Sequence, residues 1–490
     1  MAKDSIQVAG LDQLQELLWQ LNNKGSPDVF GDDKMESTHG RPVSHSSLLR
    51  SLSVAKLRMK ALVEVQKHLG RMIRSLEKRS VPMAFEEGIK RLPDEILAQI
   101  FETGHKTTNG SGFAKRVSQV SRRFRHVAFQ TPLLWTRISG TYTDSLIETH
   151  TSRAGRMDLE IVIPPLTTAQ IITSAFLRSQ TPYISRWSHL YILNDSATNW
   201  LEALSMTTLP RLSMIEYHHD ASLTGLTLPR LLHIRGYRYL RPAIPFLPQL
   251  TTFEVIFTDS KDIHIRDFYL ALQTMKVLRD LSVTLDGCIA PLAELDHSLQ
   301  LDRHSVHIDT LNVVVKNMTS SVAVAPIYDC LFFLSPSEFC LSLDTLETEN
   351  GWNLFYGSDY DFIFPYGSSI SIVISNVLLR ANGLEFDLLD ELAPGFDVAR
   401  TICIEAPGSS IVSFSGVPDS LVNYPSHLRL KSCDQLTEDK LAVLLDQFLG
   451  ISELRGLCSL AIISCRQISE TFLLNVEDEY GRWIKLTWQL

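Results

Sequence analysis

The sequence predicts an α-helical N-terminal part, a long helix followed by a three-helix segment, and after it an irregular α/β solenoid. Three observations predict it. Apolar residues from Leu48 to Leu76 fall on alternating steps of four and three. Residues 88–138 carry two short amphipathic patterns closed by Pro132-Leu133-Leu134-Trp135. Beyond residue 155 a short Leu-Pro unit returns at fixed spacing. A chain of 490 residues has room for two to four domains, and its 44% hydrophobic content is ordinary for a globular protein.

The net charge of −9 argues against a general nucleic-acid binder. The charge is uneven: residues 41–80 hold ten Lys/Arg against two Asp/Glu, and residues from 138 onward hold 24 basic against 41 acidic. A basic front and an acidic back suggest different partners for the two halves. The N-terminal MAKDSIQVAG lacks the apolar run of a signal peptide, and no stretch of 18 apolar residues is present, so no membrane span is expected. Seven cysteines, odd in number and dispersed, favour reduced thiols in the cytoplasm or nucleus over a disulfide framework. In that setting the sequons at Asn109 and Asn317 carry no glycan.

Taken in order, residues 1–46 comprise a short amphipathic helix and a polar linker. Leu11, Leu14, Leu18 and Leu21 form the helix stripe, widened by Leu17 and Trp19. Ser46 and Ser47 offer an N-cap for a helix over 47–80, about 50 Å long at 1.5 Å per residue. Leu48, Leu52, Ala55, Met59, Leu62, Gln66, Leu69, Ile73 and Leu76 form a heptad seam with one polar interruption. This helix either props the neighbouring three-helix segment or pairs with a second copy. Ser80-Val81-Pro82 is expected to break it, and Phe85–Arg91 leads into the next unit.

In that unit Pro93 suits the first turn of a helix, and Asp94 and Glu95 place negative charge at its positive end. Leu92, Ile96, Leu97, Ile100 and Phe101 make one apolar face, and Gly104 is expected to end the helix. Thr107–Gly112 reads as a loop. Phe113, Val117, Val120, Phe124 and Val127 then stripe a second helix, with Lys115, Arg116, Arg122, Arg123 and Arg125 around it. Leu133, Leu134 and Trp135 close the unit as an apolar knot. So small a unit has little core of its own, so its apolar surface is a candidate for burial against a partner.

This pattern resembles the F-box. That family opens with Leu-Pro-x-Glu-Ile-Leu and x-x-Ile-Phe, continues with Val-x-x-Val-Cys-Arg-x-Trp-Arg, and often closes with Pro-x-Leu-Trp. Leu92, Pro93, Glu95, Ile96, Leu97, Ile100 and Phe101 match the first block. Val117, Val120, Arg122 and Arg125 match the second, and Pro132, Leu134 and Trp135 the third. Ser121 stands where Cys is common, Phe124 where Trp is common, and Gly-Ser-Gly-Phe replaces Asp-Leu-Leu. The resemblance covers about a tenth of the chain. It implies docking onto a Skp-type adaptor, which links the chain to a cullin–RING ubiquitin ligase. The implied adaptor contacts are Leu92, Pro93, Ile96, Leu97, Ile100, Phe101, Val117, Val120, Phe124, Leu134 and Trp135, some of which must also hold the short helices together. A long helix directly before the box resembles the arrangement in F-box proteins of mushroom-forming fungi.

Over 155–475 the segments LPRLSMIEY, LPRLLHIRG and LPQLTTFEV begin at 209, 228 and 247, a period of 19. Looser copies surround Leu190, Leu281 and Leu311. Near the end LRLKSCDQLTEDKL and LAIISCRQISETFL lie 32 residues apart. Each unit reads as a strand, a turn and a helical or irregular return, similar to a leucine-rich repeat. Single units cannot bury their apolar faces, but stacked neighbours can. The middle, from about 320 to 400, is poorly periodic, although PSEFCLSLDTL, SISIVISNVLL and VARTICIEA look like strands. Residues 346–369 read as a loop or insertion, and 476–490, with Trp483 and Trp488, as a cap. Cys433 and Cys465 are expected part-buried in turns, and His218-His219 as a solvated pair.

No phosphate-binding glycine loop, zinc-ligand spacing or nucleophile motif is present in the sequence, so neither a cofactor nor a catalytic residue is expected. The expected role is a substrate receptor of the ligase, with an unknown target protein on the repeats. The competing class is an interaction scaffold without ubiquitin transfer.

Overall fold

The computed structural model describes residues 15, 18–19, 45–108, 112–165, 170–193, 197–218, 223, 225–237, 244–259, 261, 263–292, 304–350, 354–358, 367–384, 386–389, 398–407, 412–413, 425–450 and 457–489. Leu11, Leu14, Leu17 and Leu21, on which the N-terminal stripe was expected, lie outside them. The chain divides into two compact units, Met1–Ile100 and Phe101–Leu490.

In the first unit α1 spans His45–Arg91, 47 residues. The break expected at Ser80-Val81-Pro82 does not occur. Proline removes one intrahelical hydrogen bond and costs about 3 kcal/mol, but the flanking turns keep their own bonds. Lys90 and Arg91 occupy the last turn, where cations oppose the dipole. Leu92 N–H donates to Ile89 O at 3.3 Å and Leu97 N–H to Pro93 O at 3.1 Å, so one helix closes and α2, Asp94–Thr107, opens within a few residues.

Helix α2 runs past Gly104 to Thr107. The hydroxyls of Thr107 and Thr108 donate to the carbonyls of Thr103 and Gly104 and close its last turn. Gly104 serves packing instead of termination, since a Cβ there would lie 2.4 Å from the Phe113 ring. The second predicted helix is two: α3, Phe113–Val120, and α4, Arg122–Phe129. Ser121 between them is extended, φ −156° and ψ 170°, and its Oγ accepts from Phe124 N–H at 3.1 Å. That is an N-cap, which restarts the chain in a new direction. A 3₁₀ turn, Pro132–Trp135, comes next.

The rest of this unit is strand-rich. Among the described residues fourteen strands form one sheet whose order follows the chain, and every pair is parallel. They are β1 Arg137–Ser139, β2 Leu159–Ile163, β3 Trp187–Ile192, β4 Met214–Tyr217, β5 His233–Tyr237, β6 Thr252–Phe257 and β7 Asp280–Asp286. Then come β8 Val306–Lys316, β9 Leu334–Asn350, β10 Ser369–Leu384, β11 Thr401–Glu405, β12 His427–Lys431, β13 Ser459–Ile463 and β14 Lys485–Gln489. A two-strand sheet pairs Phe386–Asp387 with Val412–Ser413. The sheet begins at 137, inside the predicted helical unit, and not at 155. The poorly periodic middle holds the two longest strands, β9 and β10, and β9 continues to Asn350 through part of the expected loop.

Register explains the core. Ile138, Ile161, Leu190, Ile215, Ile234, Phe253 and Leu281 stand opposite one another across seven strands, and Leu311, Phe339, Ile370, Ile402, Leu428, Leu460 and Leu486 continue the row. All are buried. Alternation along each strand sends these residues to one face and polar residues to the other. Between strands lie α5 Asp144–Ala154, α6 Gln170–Gln180, α7 Ala197–Ala203, α8 Ile265–Thr274 and α9 Ser321–Leu331; Phe268, Leu272 and Tyr328 of the last two are buried.

The last two units superpose on their sequence repeat: β12 with α10, Glu438–Gly450, and β13 with α11, Glu470–Tyr480. Ser432 and Ser464 both take positive φ, 50° and 52°, directly after the strand. Cys433 and Cys465, expected part-buried, are fully buried. The expected cap is different as well. Helix α11 crosses residue 476, β14 adds a strand to the sheet, and Trp483 is 68% exposed. Trp488 is paired across from Ile462 and partly shielded. No helix among the described residues is long and apolar enough to cross a membrane.

Candidate functional site

On α2 the apolar residues separate into two groups. Pro93, Ile96 and Ile100 are exposed, the isoleucines at 40% and 50%, and Leu92 is half-buried. Leu97 and Phe101 are buried. A helix that puts Ile96 and Ile100, one turn apart, in water presents a small apolar strip that its own fold leaves uncovered.

In the second unit, Val120 at the end of α3 is 65% exposed, and Val117 and Phe124 are half-buried. The Phe124 ring packs on Phe101 with centroids 5.1 Å apart. Leu134 and Trp135 are sealed inside. Four of the eleven residues expected at the adaptor surface, Leu97, Phe101, Leu134 and Trp135, are therefore interior. Pro93, Ile96 and Ile100 in the first unit, and Val120 in the second, are exposed.

Trp135 anchors a compact cluster that the sequence did not disclose. Its indole N–H donates to Ala128 O at 2.8 Å. Phe129 and His150 meet the ring edge-on, at 5.8 and 5.0 Å, and the Arg153 guanidinium lies over both Phe129 and Trp135, at 3.8 and 4.4 Å. These are favourable quadrupole and cation–π geometries. His150, on α5 Asp144–Ala154, is buried between Trp135 and Tyr142. Burial lowers its pKa from 6.5 to about 4; the Trp135 carbonyl opposes that shift and the Arg153 charge adds to it. His105, also buried, has both ring nitrogens unpaired among the described residues and a pKa lowered first by burial and then by Arg137.

A second candidate surface is the polar face of the sheet. Arg137 of β1 pairs with Glu160 at 2.7 Å and donates to the Thr108 carbonyl, tying the strand to the end of α2. Further along the sheet, Arg235 stands between Glu216 and Glu254, at 3.8 and 3.5 Å. His233 meets Glu254 at 2.9 Å and, with that hydrogen bond, holds the carboxyl below its usual range. His218 meets Glu216 at 3.1 Å and stacks on Tyr237 with centroids 4.1 Å apart. It is thus part of a built cluster, not the solvated residue expected; His219 lies outside the described residues. Arg137, Tyr191, Glu216, His218, Arg235 and Tyr237 line a cavity of about 260 Å³. Apart from His218, sequence reading named none of these. Yet Glu216, Arg235 and Glu254 occur 19 residues apart, at the offset of the Leu-Pro repeat. That offset stacks acid, base and acid on neighbouring strands.

The fold comprises a helical segment followed in the chain by a long parallel sheet with one polar face. The family model described as F-box-like matches residues 89–141. The helical segment is thus an F-box-like domain, and the polar sheet follows it directly. No curated protein matches the chain.

Proposed function

We infer that this chain is a substrate-receptor subunit of an SCF-type cullin–RING ubiquitin ligase and has no catalytic site of its own. The F-box-like match at 89–141 carries the reading. Domains of this family generally bind Skp-type adaptors. In the first unit Pro93, Ile96 and Ile100 are left in water to meet one, with Leu92 half-buried; in the second, Val120 is exposed and Val117 and Phe124 are half-buried. The strand-rich part is an irregular leucine-rich-repeat solenoid of the kind found beside the box in basidiomycete-type F-box proteins. The chain-ordered parallel strands and the repeated Ser-Cys turns support this. The target lies on the polar face, with one of its side chains entering the cavity beside His218 and Tyr237. That cavity is below the roughly 300–1,000 Å³ of small-molecule pockets. The chain's contribution is proximity: it holds a target near the charged ubiquitin, which raises the effective concentration of the reacting groups. It works where adaptor and cullin work, in cytoplasm or nucleus.

The test is reconstitution. The full chain with a Skp-type adaptor, cullin and RING should form a stable complex and support ubiquitylation of a protein captured on the polar face. The I96D/I100D chain should lose the adaptor with its sheet intact. Adaptor binding without any ubiquitin transfer would replace this reading with the scaffold; absence of adaptor binding would end both.

A further inference from the structure

We propose that two copies of this chain associate through α1 as a parallel, in-register coiled coil between Leu52 and Leu76. The proposal rests on the first unit alone and is independent of the ligase reading.

Heptad spacing along α1 puts Leu52, Met59 and Ile73 at one core position and Leu62, Leu69 and Leu76 at the other. All six are exposed, by 42% to 64%. Ala55 and Gln66 complete the eight layers and are exposed too. The same helix has a covered side, for Ala61 is fully buried. The open stripe is therefore one continuous face about 36 Å long at 1.5 Å per residue. Isolated exposed apolar side chains are ordinary; a continuous row on heptad spacing is an interface.

Three features select a second copy as its occupant. The first is Gln66, the only polar residue in the seam. An apolar partner helix would bury its amide unpaired, at the cost of an unmade hydrogen bond. In a parallel, in-register pair the two Gln66 amides face each other at one level, and each donates to and accepts from the other. An antiparallel pair centred on the stripe would set Gln66 against Leu62. The second is charge. Residues 41–80 are strongly basic, so pairing like with like must avoid cation against cation. In the parallel register the flanking positions that meet are Arg58 with Val63 and Val65 with Gly70, and the basic Lys60, Lys67, Arg71 and Arg74 point away from the seam. The third is shape: a β-branched residue, Ile73, between the leucines at 69 and 76 favours two strands.

Light scattering and sedimentation equilibrium of the full chain should give twice the 55.3 kDa of a single chain. The L69D/I73D chain should return to the single mass while the sheet and the rest of the fold stay intact by thermal melting, because within one chain both side chains lie in water. Separately, A55C chains treated with oxidised glutathione should cross-link through that position, and the wild-type chain should not. A single-chain mass at 50 µM overturns the proposal. So does a double mass that survives L69D/I73D. A double mass without the cross-link overturns the parallel register.

Discussion

The contrast between outward and inward residues on α2 can be measured. Ile96 and Ile100 are 40% and 50% exposed, and Phe101, the next residue, is 3% exposed. Burying an isoleucine fully is worth about 1.5–3 kcal/mol. Roughly half of each side chain is already shielded by the chain itself, so I96A/I100A should cost about 1 kcal/mol of stability per site. The other half is available to an adaptor. Sealing it contributes about 1 kcal/mol per residue, or about 2 kcal/mol together, which is roughly a 30-fold rise in Kd. Phe101→Ala should behave the opposite way. It empties a buried site against Phe124 and should cost about 3–5 kcal/mol of stability. Any affinity lost then follows from unfolding. Titration calorimetry against a Skp-type adaptor, with denaturant melts of the same preparations, separates the two. If I96A/I100A binds as tightly as the parent chain, or if it unfolds as easily as Phe101→Ala, the division into docking and supporting residues is wrong.

Three further outcomes follow from the geometry. His150 is held neutral by burial, with a folded pKa of about 4 against 6.5 when unfolded. The unfolded state binds the extra proton between those values, so stability should fall as pH drops from 6.5 to 4, by about 3 kcal/mol in all, and level off below. Melts of a His150→Phe chain across that range should lack this component. Ser121→Ala removes the hydroxyl that caps α4 and should cost about 1 kcal/mol, seen as a lower urea midpoint at constant slope. Gly236→Ala would set a Cβ against the hydroxyl, Cζ and Cε1 of buried Tyr217, so it should destabilise by about 1–3 kcal/mol through overpacking, read as a lower Tm in a thermal scan, and Tyr217→Phe, which keeps the ring atoms, should not rescue it.

Much of the architecture could be read from residues that repeat. The Leu-Pro segments at 209, 228 and 247 gave the buried partners Ile215, Ile234 and Phe253, because a stacked strand needs an apolar residue at the same height in every copy. The Ser-Cys pair at 432 and 464 announced two equal units for the same reason. Where the prediction failed, one residue type had two uses. Gly104 looked like a terminator and is instead the space into which Phe113 packs. Ser121 looked like a departure from a motif and is a cap. Pro82 looked like a stop, but a long helix absorbs one missing hydrogen bond. Of the proposed docking residues, periodicity gave the apolar set. It did not separate Ile96 from Leu97, since adjacent residues on a helix differ by about 100° and only the surrounding chain decides which side is sheltered.

The closing turn Pro132–Trp135 and the first strand, starting at Arg137, have a single residue between them, and Arg137 is clamped by Glu160 and the Thr108 carbonyl. There is no slack at that junction. Neighbouring strands advance by about 4.8 Å, so Glu216 and Arg235, three and four strands on, stand roughly 14–19 Å along the sheet from Arg137, at the far side of the cavity that Arg137 itself borders. The far wall of that cavity is therefore carried stiffly by the closing turn, over a reach counted in strands. Lengthening that reach would take the insertion of a whole strand unit, not the loosening of a hinge.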